Sequence, residues 1–243
     1  MAQLGIRGLG LMAYLDVKSM RIPYRKEADR LNDSNITFGN PLMQFKQWFE
    51  EALRCPEVYE ANAMTLSTVS KSGRPSSRLV LLKGLDDRGF HFFTNSMSQK
   101  GQDISNNSHV SLLFYWEPLK RQVRVDGTAD LLGNNETEQY FHSRPKNSQI
   151  SAYVSQQSKP LASDDVLLRA YDEATEKFKD VPNVPKPKSW VGYAVKPDRM
   201  EFWQGQTSRL HDRILFFKPD DEKPISEFSK PGEDGWYFER LAP

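Results

Sequence analysis

Cysteine is almost absent: Cys55 is alone in 243 residues, which excludes an intrachain disulfide and a cysteine-built metal site. That favours a reducing compartment. No run approaches the ~18 apolar residues that a membrane span needs. Charge of one sign is not in excess either. The 33 basic and 32 acidic residues leave +1, so there is no global field for nucleic acid or an anionic membrane, and any anion must be held by a local cluster. Several motifs are missing as well: GxGxxG, the Walker loop, HExxH, CxxC and the GxSxG nucleophile turn. His91, His109, His142 and His211 show no close metal-ligand spacing. Together these absences favour a phosphate-anchored organic cofactor over a metal or a covalent triad.

The residues that are present describe a soluble globular chain, 38% hydrophobic, 12% aromatic and 27% charged, long enough for one all-β barrel with helical additions. Residues 1–40 read as a flexible N-terminal arm. Its first 14 residues are mildly apolar with Arg7 the only charge, and lack the ordered parts of a signal peptide; a weak targeting peptide is the minor alternative. From Pro41, the spacing of Leu42, Phe45, Trp48, Phe49 and Leu53 predicts an amphipathic helix ending before Pro56, with Cys55 as a buried structural thiol.

Three strands are expected at Met64–Val69, Arg78–Leu85 and Phe90–Thr94, separated by turn-forming segments, then a short helix over Ser98–Asn107. Strands His109–Trp116 and Arg121–Leu132 follow, the second alternating Val123 and Val125 with Gln122 and Arg124. Five strands broken by one short helix favour an antiparallel barrel over a parallel sheet. Helices are expected over Asn135–Arg144, stopped by Pro145, and over about Asp164–Lys179. Strands return at Trp190–Val195, Arg199–Trp203, Arg209–Phe217 and Trp236–Arg240, with Pro219–Pro224 a solvated hairpin tip. The fold class is mainly β with added helices.

Four segments carry candidate chemistry. In a strand, Arg209, His211 and Arg213 share one face, and three cationic groups so placed call for an anion: two unit charges ~4 Å apart repel by ~4 kcal/mol at an effective dielectric near 20. A solvated edge strand with Asp212 pairing locally is the alternative. Trp203 and the glycine-containing turn tilt the choice toward a site, offering a flat wall and close backbone approach. Arg78 and Lys83 are an odd number apart, so in an unbroken strand they face opposite ways; two anion sites, or one bulge, are implied. Tyr140 and Arg144 share a helix face and present a hydroxyl and a guanidinium, with Ser148 just beyond Pro145. Ser98, Gln99, Lys100 and Gly101 at a helix start would offer N–H groups, a hydroxyl and an ammonium to a phosphate.

In order along the chain, RLVLLKG, FFTN, SLLFYWEPLKRQVRV, YFHSRPKNSQI, VSQQS, VPKPKSW, EFWQGQTSRLHDR and the terminal ERLAP resemble the pyridoxine (pyridoxamine) 5'-phosphate oxidases from about Pro41 to Pro243, with a weaker echo over Met20–Arg25. The resemblance implies an FMN-binding split β-barrel at 41–243, working in the cytoplasm as a homodimer with FMN at the subunit interface. Nucleic acid and membrane are not expected partners. It assigns FMN to Arg78, Leu79, Val80, Leu81, Phe93, Thr94, Gln99, Lys100, Gln122, Gln157, Ser158, Trp203 and Arg213. It assigns the substrate phosphate to Lys83, Tyr140, Arg144 and Ser148, and the pyridine ring to Arg209 and His211, the catalytic pair, with Arg25 and Tyr24 as a lid. The implied reaction oxidises pyridoxine or pyridoxamine 5'-phosphate to pyridoxal 5'-phosphate with O2, releasing H2O2, and NH3 from the amine. A flavin enzyme of the same barrel with another substrate, or a non-catalytic FMN or pyridoxal phosphate carrier, are the alternatives. The chain departs from the family twice: Gln99 stands where an arginine is usual, and Val191 where a glycine is usual.

Overall fold

The computed structural model describes Leu31, residues 39–207 and residues 209–243. Most of the expected arm, including Tyr24 and Arg25, lies outside the described residues, but Leu31 is buried in the main core. Helix α1 (Pro41–Arg54) begins as the pattern predicts. The Asn40 side chain accepts the Leu42 N–H at 2.9 Å, and Pro41 occupies the first turn, where its missing N–H costs nothing. Its buried face enters the sheet. Phe45 meets the Phe90 ring edge-on at 4.9 Å, and Trp48 meets Phe202 edge-on at 5.3 Å. Burial of each such aromatic contributes about 1.5–3 kcal/mol. Cys55 is not the buried thiol expected. It caps the helix in extended conformation, off the buried face, with its thiol half-exposed 3.2 Å from the Glu57 carboxylate.

Among the described residues, ten strands form one antiparallel sheet: β1 (Ala63–Val69), β2 (Pro75–Leu81), β3 (Gly84–Asp86), β4 (Gly89–Asn95), β5 (His109–Trp116), β6 (Arg121–Leu131), β7 (Trp190–Gln204), β8 (Asp212–Phe217), β9 (Lys230–Pro231) and β10 (Tyr237–Leu241). The main path runs β2-β1-β5-β6-β7-β8-β10-β9, and β4, with β3 beside it, joins at β7. The split falls on β7. Its first half, Trp190–Val195, pairs with β4, its second half, Arg199–Gln204, pairs with β8, and β6 runs along both.

Three boundaries differ from the sequence expectation, each for a local reason. The strand expected over Arg78–Leu85 breaks at Leu82 and Lys83, because Leu82 N–H still bonds Asn62 while Lys83 N–H turns to His91, both at 2.8 Å. There the chain changes neighbour. The two strands expected across residues 190–203 are one, since Pro197, which has no N–H, is absorbed by a register shift between Asp126 and Gly127. The strand expected from Arg209 starts only at Asp212: Arg209 has φ +62° and its N–H closes a turn onto Gln206 at 3.2 Å.

Of the remaining helices, one packs on β1 and another on β7. Helix α2 (Gln99–Asn106) and α3 (Asn134–Ser143) match expectation; α4 (Lys146–Val154) was not anticipated, and α5 (Asp165–Lys177) packs on it over Ile150, Ala174 and Phe178. A 3-10 turn, Glu117–Leu119, joins β5 to β6. Residues 219–224 are largely exposed, as expected, although Asp220 and Glu222 hold Arg199. Among the described residues no helix is long and apolar enough to cross a membrane.

The β3–β4 turn depends on a glycine. Gly89 has φ +111°, and a Cβ there would stand 1.9 Å from the Val195 carbonyl oxygen of β7. Gly89→Ala is therefore expected to destabilise the fold by about 3 kcal/mol or more, combining left-handed strain with a backbone clash. A urea unfolding midpoint measures it.

Candidate active site

A cavity of about 840 Å³ opens between β2, β4 and helices α3, α4 and α5. Thirteen of the residues singled out from sequence are described around it. Arg78, Leu79, Val80, Leu81 and Lys83 come from β2 and the break after it, Phe93 and Thr94 from β4, and Lys100 from α2. Tyr140, Arg144, Ser148 and Gln157 complete the lining; Ser158 lies just behind, its hydroxyl accepting the Gln99 N–H at 3.3 Å. The break at Leu82 settles the parity question for Arg78 and Lys83: both reach the same cavity.

Two groups of cations line it. Arg78 donates only to neutral acceptors, Leu66 O at 3.2 Å, Thr68 Oγ1 at 2.7 Å and Ser76 Oγ. Lys100 donates to Gln157 Oε1 at 2.9 Å, and Thr94 donates to the same oxygen at 3.3 Å. Burial lowers the pKa of Arg78, and burial together with the Arg78 charge lowers that of Lys100. Among the described residues no carboxylate forms an ion pair with either. The nearest acid is Asp103, buried behind the hydroxyls, accepting from Thr68 at 2.7 Å and from the Gln99 amide at 2.8 Å. Gln99 is thus turned to its own helix, away from the main cavity lining.

Ser98 corrects a detail of the helix-start reading. Its hydroxyl is fully buried, donates to Asn95 O at 2.6 Å and caps Gly101, so it is committed to the fold and not offered to a ligand. Gly101 is needed there, since a Cβ would sit 2.4 Å from Ser96 O.

Arg144 and Tyr140 form the second group. Arg144 lies 5.1 Å over the Trp190 ring, and its Nη1 is buried with no partner among the described residues. Burial lowers its pKa and raises that of the Tyr140 hydroxyl, which therefore stays a donor. Tyr140 stacks on Phe93 at 4.1 Å and Phe93 on Trp190 at 5.3 Å. Gly192 makes this possible: a Cβ there would meet the Phe93 ring at 2.6 Å. Val191, the other member of the altered pair, packs against the core. The base of α3 is tied to the β3–β4 hairpin through Arg88, which bonds Glu136 at 2.8 Å and Asp86 at 2.6 Å. Those bonds hold the Asp86 carboxyl at about 2, below its ordinary value.

Gln122, Trp203, Arg209, His211 and Arg213 do not line this cavity. They gather at the other end of β7, where Gln122, Trp203 and Arg213 are paired across β6, β7 and β8. The Trp203 and His211 ring centroids are 4.8 Å apart. The shared strand face expected for Arg209, His211 and Arg213 is not what brings them near: the first two lie in a loop before β8. Arg213 is also less free than expected, donating to Glu201 at 2.7 Å and to Ala242 O at 2.8 Å. Burial and the Arg209 charge lower the His211 pKa, with Asp212 opposing.

Sequence reasoning missed Asn95, Tyr171 and Trp190 as lining. Trp190 was legible as the start of a strand, but nothing in its spacing connected it with Arg144.

A mainly antiparallel sheet divided along β7, with a cation-lined cavity under its helices, defines the split-barrel class. Comparison with known proteins is specific. A family model described as pyridoxamine 5'-phosphate oxidase matches residues 49–178, and one described as the pyridoxine 5'-phosphate oxidase C-terminal dimerisation region matches residues 190–243. The chain is 48% identical over 233 residues to pyridoxine-5'-phosphate oxidase of Bos taurus, covering 95% of this chain and 89% of that one. It is 45% identical over 236 residues to pyridoxine/pyridoxamine 5'-phosphate oxidase of Bombyx mori, covering 94% and 90%. Among solved structures, PhzG from Burkholderia lata 383, in complex with tetrahydrophenazine-1-carboxylic acid, superposes with TM-score 0.77 at 27% identity, covering 90% of this chain and 100% of that one. The chain belongs to the pyridoxamine 5'-phosphate oxidase family.

Two cation groups without carboxylate partners predict anion binding by the protein alone. Inorganic phosphate at about a hundred times its Kd should stabilise it by about 2.7 kcal/mol, read as a raised thermal midpoint. The Arg78→Ala, Arg144→Ala double variant should lose that shift.

Proposed function

We propose that the protein is an FMN-dependent oxidase that converts pyridoxine 5'-phosphate or pyridoxamine 5'-phosphate to pyridoxal 5'-phosphate, with O2 as acceptor. The observation that carries this reading is the pair of separate cation groups in one cavity, suited to two phosphorylated flat ligands. Arg78, Lys100, Gln157 and Ser158 hold the FMN phosphate. Lys83, Tyr140, Arg144 and Ser148 hold the substrate phosphate. The donor set fits: among the described residues neither Arg78 nor Lys100 forms an ion pair with an acid, and the buried Arg144 Nη1 has a donor to spend. Held by these residues, FMN would supply the two-electron redox chemistry that couples oxidation of the substrate C4' to reduction of O2 to H2O2.

The protein's part is positioning. Tyr140, kept protonated by burial, donates to the substrate phosphate, while the Phe93–Tyr140 stack fixes the hydroxyl's direction. Arg209 and His211 hold the pyridine ring and balance charge as hydride leaves. Positioning matters more here than a strong general base.

Those two residues come from a second copy. From Trp190, beside Arg144, to Trp203, beside His211, β7 advances thirteen residues, ~43 Å along the strand at ~3.3 Å each. One nucleotide-sized ligand does not bridge that within a chain. In a homodimer, Gln122, Trp203, Arg209, His211 and Arg213 of one protomer close the cavity of the other, with FMN at the interface. The exposed Leu79 and Tyr115 side chains, 73% and 54% accessible, suit such a buried contact. The residues from 41 onward make the catalytic domain, and the setting is the cytoplasm; the roles expected of Tyr24 and Arg25 fall on residues outside those described.

Purified protein should release FMN on acid treatment and make H2O2 in step with pyridoxal 5'-phosphate; stoichiometric binding without turnover would point to a carrier. Arg209→Ala should lower kcat/KM and leave FMN bound. The Gln99 amide is turned to Asp103 and gives the phosphate no charged donor; because a charged donor bonds roughly twice as strongly as a neutral one, Gln99→Arg should slow FMN dissociation several-fold, and an unchanged rate would refute the idea that an arginine here reaches the phosphate.

A further inference from the structure

One nearly buried acid has no part in the chemistry above. Asp212, the first residue of β8, has a side chain only 14% accessible, yet it is bonded on three sides. Its Oδ1 takes the Arg240 Nη1 at 3.0 Å, and its Oδ2 accepts the Gln206 side-chain amide at 2.9 Å and the Leu31 backbone N–H at 3.2 Å. Arg240 completes the grip, donating through Nη2 to the Leu31 carbonyl at 2.7 Å. Both backbone polar groups of one residue in the N-terminal segment are therefore held by an acid and a base from two neighbouring strands. The Leu31 side chain is itself core.

The knot continues into the loop that carries His211. Gln206 is 4% accessible, and its backbone N–H donates to His211 Nδ1 at 3.0 Å. An N–H can donate only to a ring nitrogen that carries no proton, so a neutral imidazole held this way keeps its hydrogen on Nε2. Lowering of the His211 pKa by burial and by Arg209 acts in the same direction, favouring the neutral ring. Trp203 packs beside that ring.

Resting on the reading in which His211 meets the substrate, we propose that Asp212 is a positioning residue. With Arg240 it fastens the N-terminal segment at Leu31 and the Gln206 loop to the start of β8, and so presents His211 as an Nε2–H hydrogen-bond donor. His211 then recognises an acceptor atom on the substrate and does not act as a base through Nδ1. The same carboxylate oxygen joins Leu31 to the ring-binding loop.

Nitrogen-15 NMR of the imidazoles in FMN-loaded protein tests this, with His211 assigned by its loss in His211→Ala. The expected result at neutral pH is a neutral His211 with the proton on Nε2. In Asp212→Asn, which removes the charge at nearly constant size, the His211 signals should shift toward a mixture of tautomers. Its kcat/KM for pyridoxine 5'-phosphate should fall on the order of tenfold while the FMN Kd stays within about twofold. Gln206→Ala, which keeps the backbone N–H but cuts the link to Asp212, should show the same pattern more weakly, and decides the matter if Asp212→Asn fails to fold. A wild-type His211 protonated on Nδ1, or an Asp212→Asn or Gln206→Ala protein with unchanged tautomer and kcat/KM, overturns the proposal. An unchanged kcat/KM in His211→Ala would instead overturn the substrate reading beneath it.

Discussion

Half-buried cations without acids to meet them are the constraint on which the rest of the structure turns. Water stabilises a guanidinium or ammonium better than a protein cavity does, and Arg78, Lys100 and Arg144 all show that penalty as lowered pKa values. The fold accepts the penalty by supplying neutral support: hydroxyls around Arg78, an amide oxygen at Lys100, an indole face under Arg144. Had a carboxylate been placed in the cavity, each cation would be satisfied and the cavity would lose its reason to take up a dianion. Asp103 is instead kept one hydroxyl away, close enough to act on Arg78 through space but facing away from the ligand side.

Much of the fold was legible because it depends on periodicity. The α1 pattern and the alternation of Val123 and Val125 report burial on one face, which is what decides those elements. What was not legible depends on partners distant in sequence. The break at Leu82 follows from Asn62 and His91 competing for adjacent N–H groups, and the fusion of two strands into β7 follows from a shift opposite Gly127. Helix α4 escaped notice because its apolar residues are few and its burial depends on α5.

The site divides in the same way. Arg78, Lys100, Tyr140 and Arg144 could be picked out as donors from local sequence, and the family resemblance added Gln157. Their assembly into one wall, and the separation of the Trp203 group from it, is a property of the β7 geometry. Spacing even misled at Arg209 and His211, where strand parity suggested a shared face that a left-handed turn replaces.

That single strand has a consequence for how the molecule can fail. If β7 delivers its two ends to two different pockets, each protomer holds half of two workplaces and all of neither. Dilution that parts the protomers would then silence the enzyme while every helix and strand stays intact. Two variants disabled at opposite ends of β7, once mixed, could rebuild one working pocket in a hybrid pair.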